Sequence, residues 1–368
     1  MSSTPAASLL LDLPPFPPER VAGLADRLAA LLATRNDLLI VQAEAVVALE
    51  ATAASLARPG LRALNIVTSP YGDWFGQWLR RGGAGVDDLG AGGGLPVSLE
   101  AVEAALSAAR YDLVALVHAE SASGILNPLP GIAARARAHG ALVVVDAVAS
   151  VGGHDLDVDA LGIDVAVIGP QKALGGSAGL SALSVSPAAW DRIARPGAPE
   201  RSALSLLDLR KSWLDTGRGA LPGMPSALEL HALDAALGRV EAEGLPRLVA
   251  RHHRAARAAR AGLSALGLAA FVPEAAASNL VTAARLPAGL DREAVLARLA
   301  RHGRLIGPAI GPGTERLLRL NHTGPRARFD TVLADIAALA AALADLGVPA
   351  DPGAATRAVL AAWAEAGP

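Results

Sequence analysis

Residues 143–153 read VVVDAVASVGG, and residues 164–180 read DVAVIGPQKALGGSAGL. Each contains a continuous apolar run, the pattern of a strand buried on both faces of a parallel sheet. Asp146 closes the first run, which puts its carboxylate at the carboxyl edge of such a sheet, where open α/β folds bind ligands. Lys172 follows the second run by a few residues, so both side chains can converge on one crevice. Gly169, Gly175, Gly176 and Gly179 surround the lysine and let backbone approach a ligand closely.

Working outward, residues 113–118 and 180–185 read as further strands, and 131–139 as a crossover helix between the strands at 113–118 and 141–146. An α/β fold with a mostly parallel sheet follows. Residues 44–56 carry apolar side chains at helical spacing and end at Arg58-Pro59-Gly60. Residues 227–266 form one long helical pattern, long enough to bridge two domains. Beyond Gly244, helices mix with short strands at 280–284 and 317–320. The expected organisation is a large domain over 1–243 including an N-terminal segment, a smaller α+β domain over 244–346, and a linker and helix over 347–368.

The chain has 368 residues, of which 52% are hydrophobic and 18% charged, enough to bury a large core and to exclude a disordered or fibrous reading. Its net charge of −2, with no run of Lys or Arg, argues against nucleic acid as a partner. It has no cysteine, which removes disulfides, thiolate metal sites and cysteine nucleophiles; no metal is expected. The N-terminus lacks the basic start and long apolar stretch of a signal peptide. The apolar segment 336–346, flanked and cut by Asp335 and Asp345, is too short to span a bilayer. A soluble cytoplasmic protein working on small molecules, with no membrane or nucleic-acid partner, is the expectation.

The Asp146–Lys172 pair suits a pyridoxal cofactor. The lysine would form the Schiff base, and the carboxylate would keep the ring nitrogen protonated so that the ring accepts electrons. Taken singly, an Asp after a strand is more often a turn cap and a loop Lys more often a solvated one; the joint pattern reverses that balance.

At this point the chain resembles the class V aminotransferases of pyridoxal fold type I, over roughly residues 14–346. HAESASGILNPL (118–129), VVVDAVASVGG (143–153), GPQKAL (169–174) and RLNHTG (319–324) resemble that family's motifs in order and spacing. The resemblance implies that Lys172 and Asp146 are catalytic, and that Ser121 bonds the phenolic oxygen of the cofactor. It also implies that Tyr71, in SPYGDWFGQW (69–78), stacks on the ring and that Arg319 clamps the substrate carboxylate. His322 would support the arginine loop. The partners implied are a small-molecule amine and a 2-oxo acid such as pyruvate or glyoxylate, in a homodimer or dimer-based tetramer.

One subsite departs from the family. A small hydroxyl residue is expected at the helix N-terminus that binds the cofactor phosphate, but VQAEAVVALEA (41–51) puts Glu44 there. In GALPGMPSALEL (219–230), Leu221 and Met224 stand where a partner subunit's phosphate ligands are expected, leaving Gln171 as the remaining candidate. The cofactor that the resemblance implies is therefore pyridoxal 5'-phosphate or unphosphorylated pyridoxal, held by Lys172. The second resembles the family's pyridoxamine–pyruvate branch, which shares the Glu-x-x-x-x-Leu-Glu-Ala setting and whose free hydroxymethyl group would suit Glu44. A plain helix cap is the bland reading of Glu44. That branch carries a second arginine where this chain has Ile310, with Arg304 and Arg316 as possible replacements. A conventional phosphate-cofactor enzyme of alanine–glyoxylate or serine–pyruvate type stays open, as do a β-eliminating lyase and a non-enzymatic vitamin-binding domain.

Overall fold

A computed structural model describes residues 13–219, 221–304 and 306–365. The first 12 residues of the expected large domain therefore lie outside the described residues, as do the last three of the terminal segment.

Seven short strands form the main sheet: β1 (Asp37–Val41), β2 (Arg62–Val67), β3 (Gly85–Gly90), β4 (Leu113–Val117), β5 (Leu142–Asp146), β6 (Val165–Ile168) and β7 (Ser181–Val185). Their order is β1-β7-β6-β5-β4-β2-β3. Strands β3, β2, β4, β5 and β6 run parallel; β7 is antiparallel to both β6 and β1. The β4 and β6 runs, LVALV and VAVI, are continuous apolar strands buried throughout, and β7, SALSV, is buried throughout as well. The carboxyl ends of β1, β2, β4, β5 and β6 consequently share one edge. Register carries Val117 opposite Asp146 and Asp146 opposite Val167, which sets the aspartate at that edge.

A three-stranded antiparallel sheet follows, with β8 (Val281–Arg285), β9 (Gly307–Pro308) and β10 (Leu317–Asn321) in the order β8-β10-β9. It packs in a second apolar core with helices Phe329–Asp345 and Pro352–Glu365. The helical stretch 227–266 is not one helix but two, Ala227–Glu243 and Leu245–Ala265. Gly244 breaks it with φ +85, a left-handed conformation that side chains resist, and Pro246 starts the second helix. The second helix joins the two cores: Leu248 packs in the first, while Ala255, Ala259 and Leu263 pack in the second.

One contact ties the cores beside the lysine. Gly324, after β10, has φ +59, and a Cβ built there would sit 2.6 Å from the Lys172 carbonyl oxygen. Only glycine can occupy that position without moving the lysine backbone. The Gly324 N–H donates to His252 Nε2 at 2.8 Å, which holds the loop in place.

Candidate active site

The five strand ends and one strand of the small sheet supply the site. Lys172 lies on a turn after β6 closed by Gly175 N–H to Lys172 O at 3.1 Å and Gly176 N–H to Pro170 O at 2.7 Å. Burial holds its ammonium below the usual lysine range, and the positive charge of Arg319 adds to the effect; Asp146 and Glu44 oppose it. A free amine is thereby brought closer to neutral pH. Asp146 accepts from Val148 N–H at 3.0 Å. Burial pushes its carboxyl up to about 6, against the pull of Val148 and Lys172.

A pocket opens at this edge, with Asp146 and Lys172 in its wall beside Glu44, Tyr71, Trp74 and Ser121. Tyr71 reaches it because Ser69 caps the helix Pro70–Arg81, accepting Tyr71 N–H at 3.2 Å. Trp74 meets the Tyr71 ring edge-on, with centroids 5.5 Å apart and planes at 85°. Arg319, on β10, donates through Nη1 to the Ser121 carbonyl at 2.8 Å. Its Nε is buried and has no partner among the described residues, and burial lowers the guanidinium pKa. A buried guanidinium with an unused donor is equipped to take a carboxylate.

Glu44 caps the helix Ala45–Leu56. Its Oε2 accepts Val46 N–H and its Oε1 accepts Gln171 Nε2, both at 2.7 Å. Gln171 Oε1 stays buried without a partner. All seven candidate residues thus belong to one neighbourhood: five line the pocket, Gln171 joins through Glu44, and Arg319 joins through Ser121.

Other candidates lie elsewhere. Arg304 is tied to Asp335 at 2.6 Å and Arg316 to the carbonyls of Leu286 and Pro287, so neither faces the pocket. Ile310 is 42% exposed, and its N–H donates to Ala122 O at 3.2 Å. His322 bonds Thr282 through Nε2 at 2.9 Å. Leu221 is buried, whereas Met224 is 90% exposed on a loop held by Gln42. Trp74 and Trp78 also line the pocket and escaped the sequence reading. Their spacing from Tyr71, three and seven residues on, was the available signal.

Four enclosed histidines fix the pH response of the fold. Burial depresses His118 and His252 to about 4, and His154 and His322 to about 3, from an ordinary value of 6.5. Below pH 6.5 the unfolded chain gains these protons and the folded chain does not, so stability falls as pH falls toward 4. Glu120, pushed up to about 7, and Asp146, up to about 6, act in the opposite sense, but they are two groups against four. Calorimetry of the protein without cofactor is therefore expected to show Tm dropping between pH 6.5 and 4.5. A flat or rising Tm in that window would contradict the neutral-histidine assignment.

A family model described as Aminotransferase class-V matches residues 27–306. The pyridoxamine–pyruvate transaminase of Mesorhizobium japonicum is 34% identical over 322 residues, 86% of this chain and 81% of its own length. An alanine–glyoxylate aminotransferase of Callithrix jacchus is 32% identical over 304 residues, 81% of this chain and 73% of its own. Among solved structures, pyridoxamine–pyruvate aminotransferase from Mesorhizobium loti aligns with a TM-score of 0.91 at 32% identity, covering 95% of this chain and 90% of that one.

Proposed function

The chain belongs to the class V aminotransferases and is a transaminase of their fold type I architecture, and from that premise we propose that it moves an amino group from free pyridoxamine to a small 2-oxo acid such as pyruvate. The observation that carries the unphosphorylated reading is Glu44. Its carboxylate occupies the helix N-terminus beside the pocket and already takes Val46 N–H and Gln171 Nε2. Those are the donors a phosphate would need. Two unit negative charges about 4 Å apart repel by about 4 kcal/mol at an effective dielectric of 20. A hydroxymethyl group instead offers a proton that Glu44 can accept.

The pocket fits a pyridoxal ring: a buried carboxyl, an amine of depressed pKa and an aromatic wall border one volume. When bound, pyridoxamine would supply the amino group, and its ring a sink for the electrons left when a carbon beside that nitrogen gives up its proton. The rest is work for side chains. Lys172 Nζ, its pKa lowered by burial, would take a proton from one of the two carbons flanking the transferred nitrogen and return it at the other. The Asp146 carboxylate holds a proton on the ring nitrogen, Tyr71 covers the ring face and the Ser121 hydroxyl bonds the phenolic oxygen. Arg319 turns its unused donors to the carboxylate of the 2-oxo acid, alone, since Arg304 and Arg316 are committed elsewhere. The same reading takes the working unit to be a cytoplasmic homodimer, whose partner surface would cover the exposed Met224 loop. Among the described residues, no helix is long and apolar enough to cross a membrane.

The likeness to an alanine–glyoxylate aminotransferase supports a second reading, with bound pyridoxal phosphate as cofactor and alanine and glyoxylate as substrates. One assay separates the two. Pyridoxamine and pyruvate, with no phosphate cofactor added, are expected to yield pyridoxal and alanine. Alanine and glyoxylate with pyridoxal phosphate should turn over poorly. In Glu44→Ser, affinity for pyridoxal should drop about tenfold, the scale of one hydrogen bond to a charged acceptor, while pyridoxal phosphate should gain by up to about 10³-fold, the factor that about 4 kcal/mol of removed repulsion corresponds to. Turnover of the second pair alone, by protein that keeps a phosphorylated cofactor through dialysis, would sink the unphosphorylated reading.

A further inference from the structure

Glu120 is a buried acid to which nothing above gives work. It is 1% exposed and stands one residue before Ser121. Its Oε1 accepts the Thr68 hydroxyl at 2.6 Å, and its Oε2 has no partner among the described residues. Removing a carboxyl from water is costly unless its bonds compensate, so an acid held here calls for a reason.

The bonds around it run between two loops of the site. Thr68 Oγ1 accepts from Asn127 Nδ2 at 2.7 Å, and the same nitrogen donates to Val117 O at 2.8 Å, at the end of β4. Val97 N–H donates to Asn127 Oδ1 at 3.3 Å. At one end, Thr68 follows β2 and precedes Ser69, the residue that caps the Tyr71 helix. At the other end, Glu120 leads directly into Ser121, whose carbonyl holds Arg319. A rigid link at this point therefore fixes the aromatic wall of the pocket against its opposite wall.

We propose that Glu120 is a positioning residue for the pyridoxal ring, acting through Thr68 to lock the loop that presents Tyr71 against the loop that presents Ser121 and, through the Ser121 carbonyl, holds Arg319. The proposal rests on the reading of this pocket as a pyridoxal site, and is independent of whether the ring is phosphorylated. Burial, together with the nearby charge of Asp146, pushes the Glu120 carboxyl up to about 7, and the hydroxyls of Ser69 and Thr68 pull against it. The link is thus held near neutrality without a full second negative charge beside Asp146, and Oε1 accepts from Thr68 in either form.

The test uses the full-length protein and four variants: Glu120→Ala, Glu120→Gln, Thr68→Val and Thr68→Ser. Each is titrated with pyridoxal and, separately, with pyridoxal phosphate. Affinity is read from visible absorbance, and ring orientation from the circular dichroism induced in that band. Glu120→Ala and Thr68→Val should each raise Kd about tenfold, the scale of one buried hydrogen bond, and flatten the induced signal. Glu120→Gln keeps an acceptor for Thr68 and Thr68→Ser keeps the hydroxyl, so both should stay close to wild type. Wild-type affinity and dichroism in Glu120→Ala and Thr68→Val would overturn the proposal. So would a Glu120→Gln variant as damaged as Glu120→Ala, since charge rather than the link would then matter. If Glu120→Ala fails to fold, the Thr68→Val and Thr68→Ser pair decides alone. Wild-type protein that takes up neither compound would overturn the pocket reading itself, which separates that failure from a failure of Glu120.

Discussion

Replacing Lys172 with alanine is expected to lower transamination by roughly 10⁴-fold or more, the upper range for loss of a general base, and to abolish the lysine-bound colour. The expectation follows from what surrounds Nζ. Burial and Arg319 hold its pKa down, which favours the uncharged amine that both nucleophilic attack and proton transfer require. No neighbouring amine could substitute, because the only other lysine is Lys211, which pairs with Glu200 on the surface. Lys172→Arg makes the comparison sharper. It keeps the positive charge but cannot deprotonate, so it should be as inactive as the alanine variant. Tm should hold in both, since Nζ makes no hydrogen bond within the described residues. Single-turnover kinetics with a bound pyridoxal compound would decide it. Turnover within about tenfold of wild type in either variant would remove Lys172 from the chemistry.

Asp146→Asn should cost about 10²–10³-fold in kcat/KM, the usual loss when one preorganised charge is removed from a dry site. Asparagine keeps the shape and can still accept Val148 N–H, so a loss of this size would reflect charge and not collapse. The pH profile carries a second signature. Because burial lifts the Asp146 carboxyl to about 6, the empty site loses its anion as pH falls through that value. The kcat/KM profile of the wild type should therefore bend down on its acid side near pH 6, since that ratio reports the free enzyme. The bend should vanish in Asp146→Asn. A wild-type profile flat to pH 5, or an asparagine variant of full activity, would contradict this role.

Much of the sheet was legible because its central strands are buried on both faces, so LVALV, LVVVD and VAVI read as unbroken apolar runs. Strand direction was not. SALSV is buried throughout whether it pairs parallel or antiparallel, and nothing local says that β7 reverses. The helix break at Gly244 was legible in principle, since glycine followed by proline two residues on is ordinary punctuation. The long alanine-rich periodicity on either side masked it.

The candidate site divides in the same way. Asp146 and Lys172 were readable because strand ends fix where such side chains go. The bonds that give Glu44 and Arg319 their settings were not, since they join residues 127 and 198 positions apart. Glu120 hides for a different reason. In HAESASG it looks like a solvated loop acid, and only the fold turns it inward on Thr68.

The close approach of Gly324 to the Lys172 carbonyl bears on how this molecule comes apart. The backbone of the reacting residue is also a face of the contact between the two cores. Warming cannot loosen the C-terminal core and leave that turn in shape, because the turn has the glycine loop as its outer wall. Local opening is graded across most proteins, and regions beside ligands often open at low cost. Here the lysine turn is bound to the cohesion of the whole chain, so losing the site and losing the fold should be a single cooperative event.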